Sequence, residues 1–175
     1  QQPAEMISYS GSPFCVSDNS PKVVTISGSG AYTGGAYSNS TGLTIDSVTG
    51  TITGGTVGTH TVTYTIPASA GCAIEIATTT VTVNALPVAT ATPSASTICS
   101  GATTNIALTS TIPGTTFTWT VVESAPSGAS NGGGNSINQT LSITGSTAAT
   151  VTYTITPSVN GCVGNAITAT VTVNP

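Results

Sequence analysis

Val62-Thr63-Tyr64-Thr65-Ile66 returns later in the chain as Val151-Thr152-Tyr153-Thr154-Ile155. In each copy the large apolar side chains fall on every second position and threonines fill the gaps. A period of two places the two sets on opposite faces of an extended chain, so each copy reads as a β-strand with one buried face. Thr80–Val83 and Thr116–Val121 repeat the alternation. Valine, isoleucine, threonine and tyrosine suit a pleated, half-buried surface. No segment carries a 3.6-residue apolar stripe, so no long helix is expected.

Working outward, the two copies prove to be parts of two longer repeats. Pro3 to Cys15 is twelve residues, and so is Pro87 to Cys99. After the shared pentapeptide each copy runs through a proline to a Gly-Cys pair, Gly71-Cys72 and Gly161-Cys162. Twelve residues further on lie Asn84 and Asn174, each closing a Thr-Val-Thr-Val-Asn run. The chain therefore divides into modules at 1–85 and 86–175, joined by a very short linker. Pro175 stands where another module would start, so the chain reads as an excerpt from a longer array, with no signal peptide in view.

Strands are expected near 5–10, 22–27, 34–38, 43–45, 50–53, 59–66 and 73–83, and near 88–92, 103–109, 115–122, 137–143, 149–156 and 164–173. Turn residues separate them, including Gly28-Ser29-Gly30, Gly54-Gly55 and Pro113-Gly114. About seven short strands in under 100 residues match an immunoglobulin-like Greek-key β-sandwich. The fold class is all-β, with two tandem sandwiches.

Composition narrows the function. Only 3% of the 175 residues are charged, against about a quarter in an average soluble domain. With 38% hydrophobic residues the chain is not of the disordered class. Its one basic residue, Lys22, cannot neutralise a row of phosphates, which argues against nucleic acid and against anionic membrane surfaces. No apolar run reaches the ~20 residues of a membrane helix.

Four cysteines, Cys15, Cys72, Cys99 and Cys162, point to disulfides and an oxidising compartment. They are too far apart in sequence for a zinc motif. Their equivalent placement in the repeats favours one bond per module, Cys15–Cys72 and Cys99–Cys162, each stabilising a thin core by roughly 4 kcal/mol. A bond between modules or between chains is the other option. It gains weight from the immunoglobulin topology, which sets the connection before the second strand and the last hairpin at opposite ends.

The remaining candidate residues have plain readings. His60, the only histidine, has no nucleophile elbow to serve and is expected at a strand start facing water. Asp46 reads as the cap of an Asx turn ended by Gly50 rather than as a calcium ligand, because the five acids are scattered. Lys22 reads as a surface lysine with Glu75 as its candidate partner. Trp119 and Phe117 share a face with Val121 and read as core. Asn39-Ser40-Thr41 and Asn138-Gln139-Thr140 match the N-glycosylation sequon. A glycine-rich loop, Gly128–Ser136, is the candidate binding loop, with Asn131 and Asn135 as its polar contacts.

The second module resembles the PKD-like repeats of Bacteroidota surface adhesins, through Ile98-Cys99-Ser100-Gly101, Phe117-Thr118-Trp119-Thr120-Val121, Asn138-Gln139-Thr140-Leu141 and Asn160-Gly161-Cys162. The first resembles the immunoglobulin-like repeats of the same proteins, through Pro13-Phe14-Cys15, Gly42-Leu43-Thr44-Ile45-Asp46 and Thr49-Gly50-Thr51-Ile52. Gliding-motility adhesins carry similar arrays. The resemblance implies type IX secretion and display at the bacterial cell surface. It also marks Asp46-Ser47-Val48 as similar to a Bacteroidota O-glycosylation motif, with Ser47 as acceptor. The acidic run that follows the tryptophan of other PKD modules is missing after Trp119, which puts any role tied to those acids in doubt.

The function expected is a structural repeat unit of an extracellular bacterial adhesin or filament. It is a disulfide-stapled spacer that contacts neighbouring repeats in a tandem or homopolymeric array, without enzymatic activity, cofactor or metal. Edge strands with almost no charge favour such association. The alternatives are a module that binds glycans or other surfaces, with surface polysaccharide as partner, and an accessory stalk of a secreted hydrolase.

Overall fold

The computed structural model describes residues 5–28, 34–68 and 73–175. The chain forms two compact units, Gln1–Ala85 and Leu86–Pro175, and every described element is a strand. Pro3, Ser29, Gly30, Gly71 and Cys72 lie outside the described residues.

The first unit contains β1 (Glu5–Tyr9), β2 (Phe14–Cys15), β3 (Val24–Gly28), β4 (Ala36–Asn39), β5 (Leu43–Ile45), β6 (Ile52–Gly55), β7 (Gly58–Ile66) and β8 (Glu75–Asn84). One sheet runs β2-β8-β7-β4. Facing it, β1 pairs with β3 and β5 with β6. A bridge from Lys22 to Ile52, with N···O distances of 2.8 and 3.0 Å, joins the residues before β3 to β6. Val62 and Tyr64 on β7, Val81 and Val83 on β8, and Tyr37 on β4 point into one core with Ile7, Tyr9 and Ile52. The intervening threonines pair across the outer face, Thr59 with Thr82, Thr61 with Thr80 and Thr63 with Thr78. The alternation read from the sequence is the burial pattern of β7, where His60, Val62 and Tyr64 are buried.

The second unit contains β9 (Ala89–Thr92), β10 (Ala95–Cys99), β11 (Ile106–Ser110), β12 (Thr116–Glu123), β13 (Gly132–Gly133), β14 (Ser136–Ile137), β15 (Ala149–Val159), β16 (Cys162–Val163) and β17 (Ile167–Asn174). A sheet in the order β10-β17-β15-β12-β13, with β16 folded back on β15, packs on a sheet in the order β14-β11-β9. Their shared core holds Ile106, Leu108, Phe117, Trp119, Val151, Tyr153, Ile155 and Val171. An early strand splits in both units. β1 and β9 join one sheet, while β2 and β10 cross over and run parallel to the last strand of the other. That switch and the two-sheet order make each unit an immunoglobulin-like sandwich.

The expected strand over 137–143 is not continuous. β14 ends at Ile137, and beyond it only isolated bridges remain, Thr103 with Thr140 and Ser127 with Ser142. Side chains take over the backbone partners there. The buried Thr104 hydroxyl donates to the carbonyl of Ile137 at 2.9 Å and accepts from the amide of Gln139 at 2.9 Å. Such local bonds compete with a sheet ladder.

Candidate functional site

Cys15 and Cys99 occupy the same place in their units. Cys15 ends β2 level with Asn84, and the Val16 amide donates to the Asn84 carbonyl at 2.9 Å. Cys99 ends β10 level with Asn174, and the Ser100 amide donates to the Asn174 carbonyl at 2.7 Å. Each cysteine carbonyl then accepts from an amide three residues on, Asp18 at 2.9 Å and Ala102 at 3.0 Å.

Cys162 lies at the other end of its sheet. It is fully buried and faces Val159 across a two-residue turn, Asn160-Gly161, with φ of 49° and 79°. Positive φ at both positions is the hairpin turn that Asn-Gly favours. Ala149 is level with Val173, beside Cys99's neighbour Asn174, so β15 separates the two cysteines. From Ala149 to Val159 the strand rises about 33 Å, whereas a disulfide needs α-carbons roughly 4.4–6.8 Å apart.

The expected Cys99–Cys162 bond is therefore not formed. Cys99 is an exposed free thiol, while Cys15 and Cys162 are both disulfide-bonded. The reason is the topological objection itself: strand crossing and final hairpin lie at opposite ends of the sheet. Cys72, the expected partner of Cys15, lies outside the described residues.

His60 does not face water. It is buried on β7, with Nε2 2.8 Å from the carbonyl oxygen of Thr56 and Nδ1 3.1 Å from that of Thr41. Gly42, at φ 113°, leaves room for the ring, since a β-carbon there would come within 2.5 Å of Cε1. The imidazole ties two loops together through backbone acceptors.

Asp46 caps its turn as read. Its Oδ1 accepts from the amides of Thr49 at 2.7 Å and Val48 at 2.9 Å, and Gly50 closes the turn at φ 71°. Those backbone bonds, Thr49's first, lower its pKa. Ser47 is exposed at the turn, and its carbonyl accepts from the Tyr37 amide at 2.8 Å.

Lys22 pairs with Asp18 at 2.9 Å rather than with Glu75, and its ammonium lies 5.2 Å from the Phe14 ring centre. The tight bend from Asp18 to Lys22 brings the two together. Hydrogen bonds from Ser20 and from Lys22 hold the Asp18 carboxyl down at about 2.

Trp119 is core, 7% exposed, and its indole N–H donates to the Ser130 carbonyl at 3.1 Å. The candidate binding loop is knitted to the framework. Asn131 Oδ1 accepts from the Val121 amide at 2.9 Å, the Gly134 amide donates to the Phe117 carbonyl at 3.0 Å, and the Leu108 amide donates to the Asn135 carbonyl at 2.9 Å. Asn135 also borders a shallow open depression of about 230 Å³ among Leu108, Ile112, Pro113 and Phe117. That is smaller than the roughly 300–1,000 Å³ of small-molecule sites.

Gln139 is a junction that sequence reasoning missed. Its Oε1 accepts from Tyr153 Oη at 3.0 Å and from the Ser130 amide at 3.1 Å, while Nε2 donates to the Ser130 carbonyl at 2.8 Å. Its place in a sequon drew attention to Asn138 instead. Among the described residues no three of His, Cys, Asp and Glu cluster as metal ligands would, and no helix is long and apolar enough to cross a membrane.

With the sheet order and Trp119 in place, the relation to known proteins follows. Residues 96–175 match the family model of the PKD-like domain. No curated protein matches the chain. Among solved structures, a three-immunoglobulin-domain structure of titin domains I67–I69, in a Glu-to-Ala mutated variant, is 12% identical with a TM-score of 0.43. The match covers 98% of this chain, which spans 65% of the titin fragment. A PKD-like domain together with a disulfide is the make-up of an extracellular type of module.

Proposed function

We propose that the chain is a structural repeat unit of an extracellular bacterial adhesin or surface filament, a disulfide-stapled spacer without enzymatic activity. The observation that carries this reading is the use made of the polar side chains. His60, Asp46, Asn131 and Gln139 all bind backbone groups of their own unit and so hold shape. The outer faces are threonine ladders, such as Thr150 with Thr172 and Thr152 with Thr170 on β15 and β17. Uncharged faces and edges of this kind suit contact with further repeats and need no soluble ligand.

Small-angle scattering on a chain of several repeats tests the spacer reading. A rod whose length grows in proportion to repeat number is the expected result, and a chain that scatters as flexible beads overturns it. Display at the cell surface after type IX export belongs to the same proposal, as does glycosylation of the exposed Ser47. Intact-mass measurement on native material checks the latter, and a mass equal to that of the bare chain removes it.

A further inference from the structure

We propose that Asn160 is a site of spontaneous covalent modification, where the folded chain turns an asparagine into aspartate and isoaspartate, and that the fold protects Asn131 from the same chemistry. The inference stands apart from the spacer reading.

The chain holds two Asn-Gly pairs, Asn131-Gly132 and Asn160-Gly161. A glycine puts no side chain in the way of its own amide nitrogen, so that nitrogen can reach the carboxamide carbon before it. Local sequence makes the two pairs alike, and the fold separates them. Asn131 Oδ1 accepts from the Val121 amide at 2.9 Å. Gly132 lies on β13 opposite Trp119, and the Gly134 amide donates to the Phe117 carbonyl at 3.0 Å. Hydrogen-bonded pairs alternate along an antiparallel ladder, so the Gly132 amide is spent on the Trp119 carbonyl. Both reacting groups of this pair are tied down.

Asn160 and Gly161 are the exposed turn between β15 and β16. The Gly164 amide donates to the Pro157 carbonyl at 2.9 Å. The same alternation closes the ladder at Val159 and Cys162 and leaves the Gly161 amide outside it. Among the described residues neither that amide nor the Asn160 carboxamide has a hydrogen-bond partner. β16 is only two residues long, so little holds the turn against the backbone rotation that brings the Gly161 nitrogen onto Asn160 Cγ.

The Gly161 nitrogen bonds to Asn160 Cγ, the Cγ–Nδ2 bond breaks, and Nδ2 leaves as ammonia with the proton that the glycine amide gave up. The product is a cyclic imide. Water opens it at either carbonyl, giving aspartate or isoaspartate. Each event makes the formal net charge of -4 more negative by one, and isoaspartate also lengthens the main chain of a two-residue turn.

The test incubates the whole folded chain in mildly alkaline buffer and maps its peptides by mass spectrometry. The Asn160 peptide is expected to gain the mass difference between an amide and an acid, in aspartate and isoaspartate forms told apart by fragmentation. The Asn131 peptide is expected to react at least about tenfold more slowly, because two hydrogen bonds must open first. In urea, where the fold is lost, that gap is expected to close. An Asn160 peptide that keeps its amide in the folded chain, or an Asn131 peptide that reacts as fast, overturns the proposal. A gap as wide in urea as in the folded chain overturns it too, since local sequence then sets the rates. As a second check, Asn160→Gly keeps a turn that a two-residue hairpin accepts. Its turn peptide is expected to hold its mass through the same incubation, and a gain there places the reaction at another residue and overturns the assignment.

Discussion

The hydroxyl of Tyr9 donates a 2.6 Å hydrogen bond to the carbonyl of Gly50, which ends the Asp46 turn. This bond ties the first strand to the turn between β5 and β6. Burial, and the neighbouring Tyr37, push the Tyr9 phenol up to about 12. Replacing Tyr9 with Phe leaves a buried carbonyl without its donor and is expected to cost about 1–3 kcal/mol. Urea denaturation followed by circular dichroism measures it.

Alkaline pH probes the same bond. Because the folded-state pKa lies above the ordinary value of 10, the stabilisation is complete below pH 10 and is lost as pH rises toward about 12. Stability of the natural chain therefore falls across that window more steeply than stability of Tyr9→Phe, as melting curves at several pH values will show.

Acid acts through Asp18 with the opposite sign. Its folded-state pKa is held at about 2, below the ordinary 3.8. Its contribution is present above pH 3.8 and is lost as pH falls toward 2. The group is exposed, so the effect is small and screened by salt. Asp18→Asn is expected to flatten the acid limb of the stability profile at low ionic strength and to change little at high salt.

His60→Ala removes the ring that bridges the Thr41 and Thr56 carbonyls and opens a void beside Gly42. A loss of about 2–4 kcal/mol is expected from lost packing and lost bonds together. Hydrogen exchange is expected to speed up in the loops around Gly42 and Thr56, while the second unit keeps its protection.

Gly132→Ala sets a methyl group 2.7 Å from Trp119 Cζ2. The indole must shift, at a cost of about 1–3 kcal/mol for an overpacked core. Trp119 is the only tryptophan, so its emission reports the shift directly; an unchanged spectrum and midpoint speak against the close packing of β13 on the ring.

Much of this molecule was legible in the residues because strands announce themselves by alternation. Val62, Tyr64, Val151 and Tyr153 face inward as read, Trp119 is core, and Asp46 caps its turn. The readings that fail turn on partners that a strand's alternation does not name. His60 looked like a surface residue because the carbonyls that bury it, Thr41 and Thr56, belong to loops whose approach no local pattern encodes. Lys22 was matched to Glu75 by charge alone, whereas the bend at Ser20 supplied Asp18. The run at 137–143 carries strand-like residues, yet Thr104 takes its backbone partners.

By itself the sequence determined that the chain is all-β, that it contains the same scaffold twice, and which side chains fill the two cores. Those features follow from periodicity and repetition, which are properties of neighbouring positions. Only the tertiary structure decided that Cys99 and Cys162 do not meet. Cys99 and Cys162 belong to one repeat but stand at opposite ends of one sheet, and an extended strand of eleven residues cannot bend to bring them together. Disulfide pairing depends on distance through space, and sequence spacing does not carry that information.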